Sequence, residues 1–226
     1  MEVDLKKFDF ESDKIISALD TDERNLLLNH AEKLYFKKSK LLFYEGGIPT
    51  GVFIINSGKA KIYKTGLNGK DQIFYIYKSG DLLGYHALLC NEHYEDACEA
   101  IEACEISFIS ASNFNKLLNQ IPKLRTLLIQ NMSHEFGVMV NTITVLAQKP
   151  LRERLALYLL ILNKRYNNST IQIPRDDLAN LVGTARESLG RLLKEFKEDN
   201  LISIETRRIE VINEKKLLQI ASSIQN

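Results

Sequence analysis

The chain lacks tryptophan, has few prolines and contains no long apolar segment. No apolar run reaches the roughly 18 residues that a membrane-spanning helix requires. The first residues, MEVDLKKFDFESDK, lack the apolar core of a signal peptide. We therefore expect no membrane segment and a cytoplasmic location.

Cysteine is also scarce. The three residues, Cys90, Cys98 and Cys104, are an odd number, and their spacing matches no common zinc pattern. We interpret all three as small buried hydrophobic residues in strands, and we predict neither a metal nor another cofactor.

The length and the charge distribution favour two domains. A chain of 226 residues with 45% hydrophobic content can bury two small cores. Residues 1–148 hold 16 Lys and Arg against 19 Asp and Glu, a net charge of −3, whereas residues 149–226 hold 14 against 10, a net charge of +4. The basic C-terminal part is the candidate for contact with a polyanion.

Glycine recurs between Gly46 and Gly84, and the segments between the glycines, such as VFIIN and IFYIY, are short and rich in β-branched and aromatic residues. This pattern is typical of an antiparallel β-roll or sandwich, which we assign to residues 1–120 as a sensor domain. Asn68-Gly69 predicts a hairpin over residues 59–78 with a type I′ turn, because both residues tolerate positive φ.

A long helix is predicted over residues 121–148, where apolar residues alternate in steps of three and four. This spacing is that of a coiled-coil seam and favours a homodimer through a partner helix, although one face could instead pack on its own domain. The predicted dimer seam consists of Ile129, Met132, Phe136, Met139, Ile143 and Leu146.

Residues 149–226 have the pattern of a winged helix-turn-helix. Asp176 and Asp177 suit the first turn of a helix that Gly183 ends, and Thr184 and Glu187 fit a capping box for the next helix. That helix has a predicted buried face of Leu189, Leu192, Leu193 and Phe196, and an opposite face of Arg186, Glu187, Gly190, Arg191 and Lys194.

The residue types on the polar face suit base recognition in double-stranded DNA. Arginine donates two hydrogen bonds to guanine O6 and N7, and glutamate accepts one from cytosine N4. Downstream, paired arginines in LISIETRRIEVIN predict a wing near phosphates, although a plain surface hairpin has the same pattern. The predicted DNA-binding residues are Thr184, Arg186, Glu187, Ser188, Arg191, Lys194, Arg207 and Arg208.

The segment LVGTARESLGRLLKEFKEDNLIS resembles the signature of the cyclic-AMP receptor protein and FNR (Crp/Fnr) family, and KSGDLLG resembles a turn of that family's β-roll. The resemblance implies an α+β fold with a sensing β-roll, a dimerisation helix and a winged helix-turn-helix. It further implies TGTGA-like half-sites, read by Arg186, Glu187 and Arg191, and RNA polymerase as a partner.

The predicted effector pocket departs from the family pattern. Tyr85 replaces the glutamate that holds the ribose in cyclic-nucleotide binders, Glu95 and Asp96 replace an Arg-Ser pair on the phosphate, and Met139 and Val140 replace polar adenine contacts. We also expect no side-chain cation near the phosphate, because residues 79–115 contain no Lys or Arg. The candidate pocket residues are Gly84, Tyr85, His86, Glu95, Asp96 and Met139.

These departures predict a protein that does not respond to cyclic AMP. An unknown neutral or cationic effector could bind instead, or the pocket could be filled by its own side chains. The N-terminal cysteine cluster of the family's iron-sulfur branch is missing, because no cysteine precedes Cys90.

Other functions fit the sequence less well. A ligand-gated regulatory β-roll module would leave residues 150–213 unexplained. A cupin-like metal enzyme would use His86, His93, Glu92 or Glu95, whose spacing is not that of such sites. A haem sensor would use His86 or Cys90.

Overall fold

The computed structural model describes residues 3–222, which form two compact units. One unit spans Phe10–Phe136, and the other combines the described residues up to Asp9 with those from Gly137 onward. Among the described residues, no helix is both long enough and apolar enough to cross a membrane.

The predicted division of the chain at residues 120 and 148 treats the long helix as a separate part. The boundary between the residues of the two compact units instead falls within that helix, after Phe136. The predicted limits stay a prediction, and their outermost positions, 1–2 and 223–226, lie outside the described residues.

The first unit is built on two antiparallel four-stranded sheets, which confirms the predicted β-roll. Its strands are β1 Glu32–Phe36, β2 Leu41–Phe43, β3 Gly51–Ser57, β4 Ala60–Thr65, β5 Asp71–Tyr77, β6 Leu82–Leu83, β7 Ala97–Ala100 and β8 Cys104–Ser110. One sheet has the order β1-β8-β3-β6 and the other the order β2-β7-β4-β5. The helices are α1 Asp13–Ser17, α2 Thr21–Leu28, α3 Tyr85–Cys90, α4 Ala111–Gln120 and α5 Pro122–Gln148, which continues into the second unit.

Strand β3 has an uninterrupted apolar sequence because both of its faces are covered. Val52 and Ile54 are buried in a core shared with residues of α1, α2, α4 and α5. Phe53 points the other way, where its ring centroid lies 5.9 Å from that of Phe43 in the second sheet. A strand covered on both faces has no place for the polar alternation of a half-exposed strand.

The predicted hairpin between β4 and β5 is confirmed, but its turn differs from the expected type I′. Gly69 has a φ of +73°, whereas Asn68 is not in the positive-φ region. The Gly69 N–H donates to the Gly66 carbonyl at 2.9 Å, and the Asn68 side chain accepts from the Lys70 N–H at 3.1 Å. The connection is therefore a longer loop closed by one left-handed glycine, which relieves Asn68 of the strained conformation.

The interpretation of the cysteines is correct for two of the three. Cys98 and Cys104 are buried in β7 and β8. Cys90 is exposed, because it occupies the last position of the short helix α3 rather than a strand. No group of three or more His, Cys, Asp or Glu residues within the described part of the chain could hold a metal ion.

Helix α5 begins at Pro122, where a missing N–H is harmless, and ends shortly before Pro150. Its face with Leu124 and Leu128 is buried in the core of the first unit. Three residues of the predicted seam, Ile129, Phe136 and Ile143, are 61%, 73% and 61% exposed. The other three, Met132, Met139 and Leu146, are half-buried.

The second unit contains the predicted winged helix-turn-helix. Its elements are a 3₁₀ helix at Leu5–Phe8, α6 Leu151–Arg165, β9 Ile171–Gln172, α7 Arg175–Val182, α8 Arg186–Glu198, β10 Ile202–Glu205, β11 Arg208–Val211 and α9 Glu214–Ala221. The three strands form an antiparallel sheet in the order β10-β11-β9. Buried Arg165 donates to Asp9 at 2.8 Å, which fastens the N-terminal segment to α6.

Two left-handed glycines of the β-roll allow a matched stability test. A Cβ on Gly58 would lie 2.3 Å from the Ala103 carbonyl oxygen, whereas a Cβ on Gly69 would meet nothing within 4 Å. Gly69→Ala should lower the free energy of unfolding by about 1–2 kcal/mol, which is the cost of placing a residue with a Cβ in the left-handed conformation. Gly58→Ala should lower the free energy of unfolding by about 1–3 kcal/mol more than Gly69→Ala does, because the backbone at Ala103 must move to make room for the Cβ. Urea unfolding followed by circular dichroism measures both, and equal losses would contradict the close packing at Gly58.

Candidate DNA interface and effector pocket

The turn between α7 and α8 has the predicted features except for its cap. Asp176 and Asp177 lie in the first turn of α7, and Gly183 ends the helix with a φ of +71°. Helix α8 begins at Arg186 with Ala185 at the N-cap position. The predicted capping box of Thr184 and Glu187 is therefore wrong, because the chain stays extended one residue longer than that box requires.

Helix α8 is held by its apolar face. Leu189, Leu193 and Phe196 are buried as predicted, while Leu192 is half-buried. Arg152 of α6 donates to Glu195 of α8 and to Asp199, the residue that caps its C-terminal end. The Arg152 guanidinium lies 5.0 Å from the centre of the Phe196 ring. These contacts fix the rotation of α8 and leave its opposite face in solvent.

The open face of α8 brings most of the predicted DNA-binding side chains together. Arg186, Glu187, Arg191 and Lys194 are exposed, whereas Thr184 and Ser188 are half-buried. Arg186 lies 3.0 Å from Asp176 of α7 and Lys194 lies 3.8 Å from Glu198. Exposed ion pairs of this kind contribute at most about 1 kcal/mol, so these cations can exchange their partners for a ligand.

Gly190 lies in the middle of this face, and no contact among the described residues requires a glycine there. A Cβ at Gly190 would meet no atom within 4 Å. Glycine inside a helix costs roughly 0.5–1 kcal/mol relative to alanine. The helix thus carries a destabilising residue where the chain itself offers ample space.

The predicted wing is the hairpin of β10 and β11. Ile202 and Ile209 are buried and anchor it, while Arg207 and Arg208 are exposed. Thr206 has a φ of +57°, so the turn at the tip is tight. The hairpin therefore presents two neighbouring cations on a fixed support.

In the predicted effector pocket, the hydroxyl of Tyr85 forms hydrogen bonds with other side chains of the same chain. Gly84 adopts a φ of +83° at the start of α3, and the next residue, Tyr85, is buried. The Tyr85 hydroxyl donates to Glu135 Oε1 at 2.6 Å and accepts from Asn131 Nδ2 at 2.8 Å. Burial first, and then the nearby Glu135, raise the pKa of Tyr85, so its hydroxyl keeps its proton.

Asn131 and Glu135 were missed by the sequence analysis. They are one turn apart on α5, at positions beside the predicted seam and not in it. A polar pair at this spacing beside buried Leu128 was the available signal. Burial outweighs the hydrogen bonds of Glu135 and raises the pKa of its carboxyl to about 7.

The remaining pocket residues have different contacts. His86 Nε2 lies 3.3 Å from Asp96 Oδ1. The Glu95 side chain is 84% exposed and lies 2.9 Å from Lys64 of β4. Met139 belongs to the second compact unit. The structure therefore brings Gly84, Tyr85 and the His86–Asp96 pair into one region but leaves Glu95 on the surface.

The expectation that a cyclic phosphate would meet no side-chain cation rested on residues 79–115 alone and overlooked two lysines of β4. Lys64 contacts both Glu45 and Glu95, and Lys61 lies 3.4 Å from Glu99. The reason is topological, because β4 pairs with β7 and places its lysines beside the acids that the linear count had isolated. Each lysine nevertheless has a carboxylate partner already.

Aromatic side chains occupy the interior of the roll. Phe43 stacks on Tyr94 with ring centroids 4.0 Å apart, and Phe10 stacks on Tyr75 at 3.9 Å. Tyr77, whose centroid lies 5.1 Å from that of Tyr75, is buried with them. These stacked rings are buried and belong to the chain's own core.

Comparison with protein families gives two matches. A model described as "Cyclic nucleotide-binding domain" matches residues 33–121, and a model described as "Crp-like helix-turn-helix domain" matches residues 153–220. The two matches fall on the β-roll and on the unit that contains α7, α8 and the β10–β11 hairpin.

Similar proteins include regulators named for anaerobic metabolism. The "Anaerobic regulatory protein" of Aggregatibacter actinomycetemcomitans is 29% identical over 199 residues, which cover 84% of this chain and 76% of that protein. The "Fumarate and nitrate reduction regulatory protein" of Escherichia coli is 28% identical over 199 residues, 84% of this chain and 78% of that protein.

A solved structure supports the fold, and the matches together identify the family. FixK2 from Bradyrhizobium japonicum superimposes with a TM-score of 0.76 at 19% identity, covering 86% of this chain and 99% of that one. Since both domain types and the relatives agree, the chain belongs to the Crp/Fnr family of transcription regulators, which bind DNA and are not enzymes.

Proposed function

We propose that the protein binds, as a homodimer, a two-fold symmetric DNA site with TGTGA-like half-sites. The observation that carries this proposal is the open face of α8, on which Arg186, Glu187 and Arg191 are all exposed. Arginine suits guanine edges and glutamate suits the cytosine amine, and a TGTGA half-site offers both on its two strands. The buried contacts of α8 orient these side chains before DNA arrives.

Gly190 supports the same interface. A side chain there has open space in the free protein. We infer that the floor of the major groove or a DNA backbone approaches the helix at this position. The wing arginines, Arg207 and Arg208, would contact phosphates and contribute affinity without sequence preference.

The dimer would form through α5. Its predicted seam leaves Ile129, Phe136 and Ile143 exposed in one chain, although large apolar side chains favour burial. A second copy of the helix would cover them with side chains of the same spacing. The dimer would place two α8 helices on half-sites one helical turn apart, and RNA polymerase is the partner proposed for the bound dimer.

We further propose that cyclic AMP does not control this protein. The supporting observations are the internal hydrogen bonds of Tyr85, the carboxylates at Glu95 and Asp96, and the lysines that are already paired. A cyclic phosphate would have to displace an existing ion pair or lie unpaired, and both are costly. A neutral or cationic effector, or no effector, agrees better with this chemistry.

The first prediction from the proposed function concerns the dimer. Phe136→Glu together with Ile143→Glu should convert dimer to monomer, because each substitution would bury an unpaired charge at a cost of several kcal/mol. The matched control is Gln130→Glu with Thr144→Glu, which adds the same charge at exposed positions of α5 outside the seam. Analytical ultracentrifugation reports the mass. A dimer that survives the seam variant would reject this interface.

The second prediction concerns sequence reading. Arg186→Ala and Arg191→Ala should each weaken binding to a TGTGA palindrome by about 1–3 kcal/mol and relax the preference at one base pair. Arg207→Ala should weaken binding to all sequences alike and reduce the slope of affinity against salt. Lys215→Ala on α9 removes the same charge from another exposed site and serves as the control.

Fluorescence anisotropy with specific and random duplexes separates the two kinds of contact. If Arg186→Ala weakens binding to both duplexes equally, that arginine contacts phosphate and does not read a base.

The third prediction concerns the effector. Titration calorimetry with cyclic AMP and with cyclic GMP should give millimolar affinity or no heat, since each 1.4 kcal/mol lost lowers affinity tenfold. Binding to the DNA palindrome should not require either nucleotide. Micromolar binding, or DNA affinity that appears only with a nucleotide, would overturn the proposed independence.

A further inference from the structure

A small polar cluster joins the β-roll to α5. It consists of Tyr85, the first residue of α3, and of Asn131 and Glu135 on α5. Asn131 Nδ2 donates to Tyr85 Oη at 2.8 Å and to Glu135 Oε1 at 3.0 Å, and Tyr85 donates to the same Glu135 oxygen at 2.6 Å. Tyr85 and Asn131 are buried. The roll and this part of α5 are thus connected by three mutually bonded side chains.

Within the described part of the chain, no lysine or arginine is among the groups that act most strongly on Glu135. Its two hydrogen-bond donors are neutral. The charged or titratable groups that act on the Glu135–Tyr85 pair are His86 of α3, His134 of α5, Tyr77 of β5 and Asp81. His134 in turn lies 4.0 Å from Glu11. The groups that act most strongly on an ionised Glu135 are thus neutral donors and histidines, which carry charge only when protonated. Lys14 lines the same groove as Asn131 and His134, but it is paired with Glu11 at 2.6 Å.

We propose that Glu135 is a proton-operated latch: when its carboxyl is neutral it holds α5 to the roll, and when it ionises the attachment loosens. The consequence for dimerisation rests on the proposed function, because Glu135 directly precedes Phe136 and lies three residues after Met132, both in the predicted seam. A shift of Glu135 toward water would displace these neighbours. The latch would thus connect proton concentration to the seam.

The sign of the effect follows from burial. Burial raises the pKa of Glu135 from 4.5 to about 7, against the hydrogen bonds from Tyr85 and Asn131. A carboxyl whose pKa is higher in the closed state stabilises that state fully below about pH 4.5, and this contribution is lost as the pH rises through about 7. Opening of the latch should therefore increase between pH 6 and pH 8.

The experiment measures hydrogen-exchange protection of the α5 amides 131–136 in the full chain at pH 6 and pH 8, corrected for the intrinsic exchange rate. Protection should fall about tenfold in the unmodified protein, because one proton is released on opening. Glu135→Gln keeps a neutral side chain that can accept the same hydrogen bonds, and its protection should not change with pH. Glu32→Gln, at an exposed position of β1, should behave as the unmodified protein does.

Two further variants identify the titrating group. Tyr85→Phe removes a hydrogen bond that favours the ionised carboxylate, so the midpoint should move to higher pH while the transition remains. Histidines commonly titrate in this range, so His86→Gln and His134→Gln are measured as well. A pH effect that persists in Glu135→Gln, or that disappears in either histidine variant alone, would overturn the assignment to Glu135.

A separate measurement tests whether Glu135 affects dimerisation. Sedimentation should show a dissociation constant that rises with pH in the unmodified protein and stays constant in Glu135→Gln. If the chain is monomeric at every pH, the proposed dimer fails while the exchange measurement still decides the latch. If exchange depends on Glu135 but the dissociation constant does not, the connection to the seam is wrong.

Discussion

Helix α5 carries apolar residues on more faces than one chain covers, and this constraint organises the molecule. Leu124 and Leu128 complete the core of the first unit, whereas Phe136 and Ile143 remain in solvent. An apolar stripe with regular heptad spacing has no function in an isolated helix. The same helix also passes from one compact unit into the other. Whatever covers the exposed stripe therefore acts on an element that both units share.

Helix α8 illustrates a different principle, namely that a surface proposed to read DNA must be rigid while its side chains stay available. Buried Leu189, Leu193 and Phe196 fix α8, and Arg152 secures it from α6 through charge and through the Phe196 ring. The exposed cations are held only by weak surface pairs such as Arg186 with Asp176. The protein thus keeps its stability in contacts that DNA need not disturb.

Much of this architecture follows from local sequence signals. The α5 periodicity, Gly183 and the buried face of α8 were predicted because each depends on residues within a few turns of one another. The bond between Tyr85 and Glu135 joins residues 50 positions apart, and the Lys64–Glu95 pair depends on which strands are neighbours. No periodicity encodes such contacts. The exact residue at a helix cap, Ala185 rather than Thr184, likewise depends on the path of the preceding turn.

Tyr85 connects the sequence departures to the proposed independence from cyclic AMP. A family pocket that binds a cyclic nucleotide uses the ligand itself to supply polar contacts between roll and helix, whereas here Tyr85 supplies one from the chain. Stacked aromatic rings, including Phe43 on Tyr94, further fill the roll with its own side chains. A roll connected to α5 in this way needs no ligand to make that connection. Regulation would then have to change the strength of an existing contact, and a half-buried carboxyl such as that of Glu135 is a group whose contact strength a proton can change.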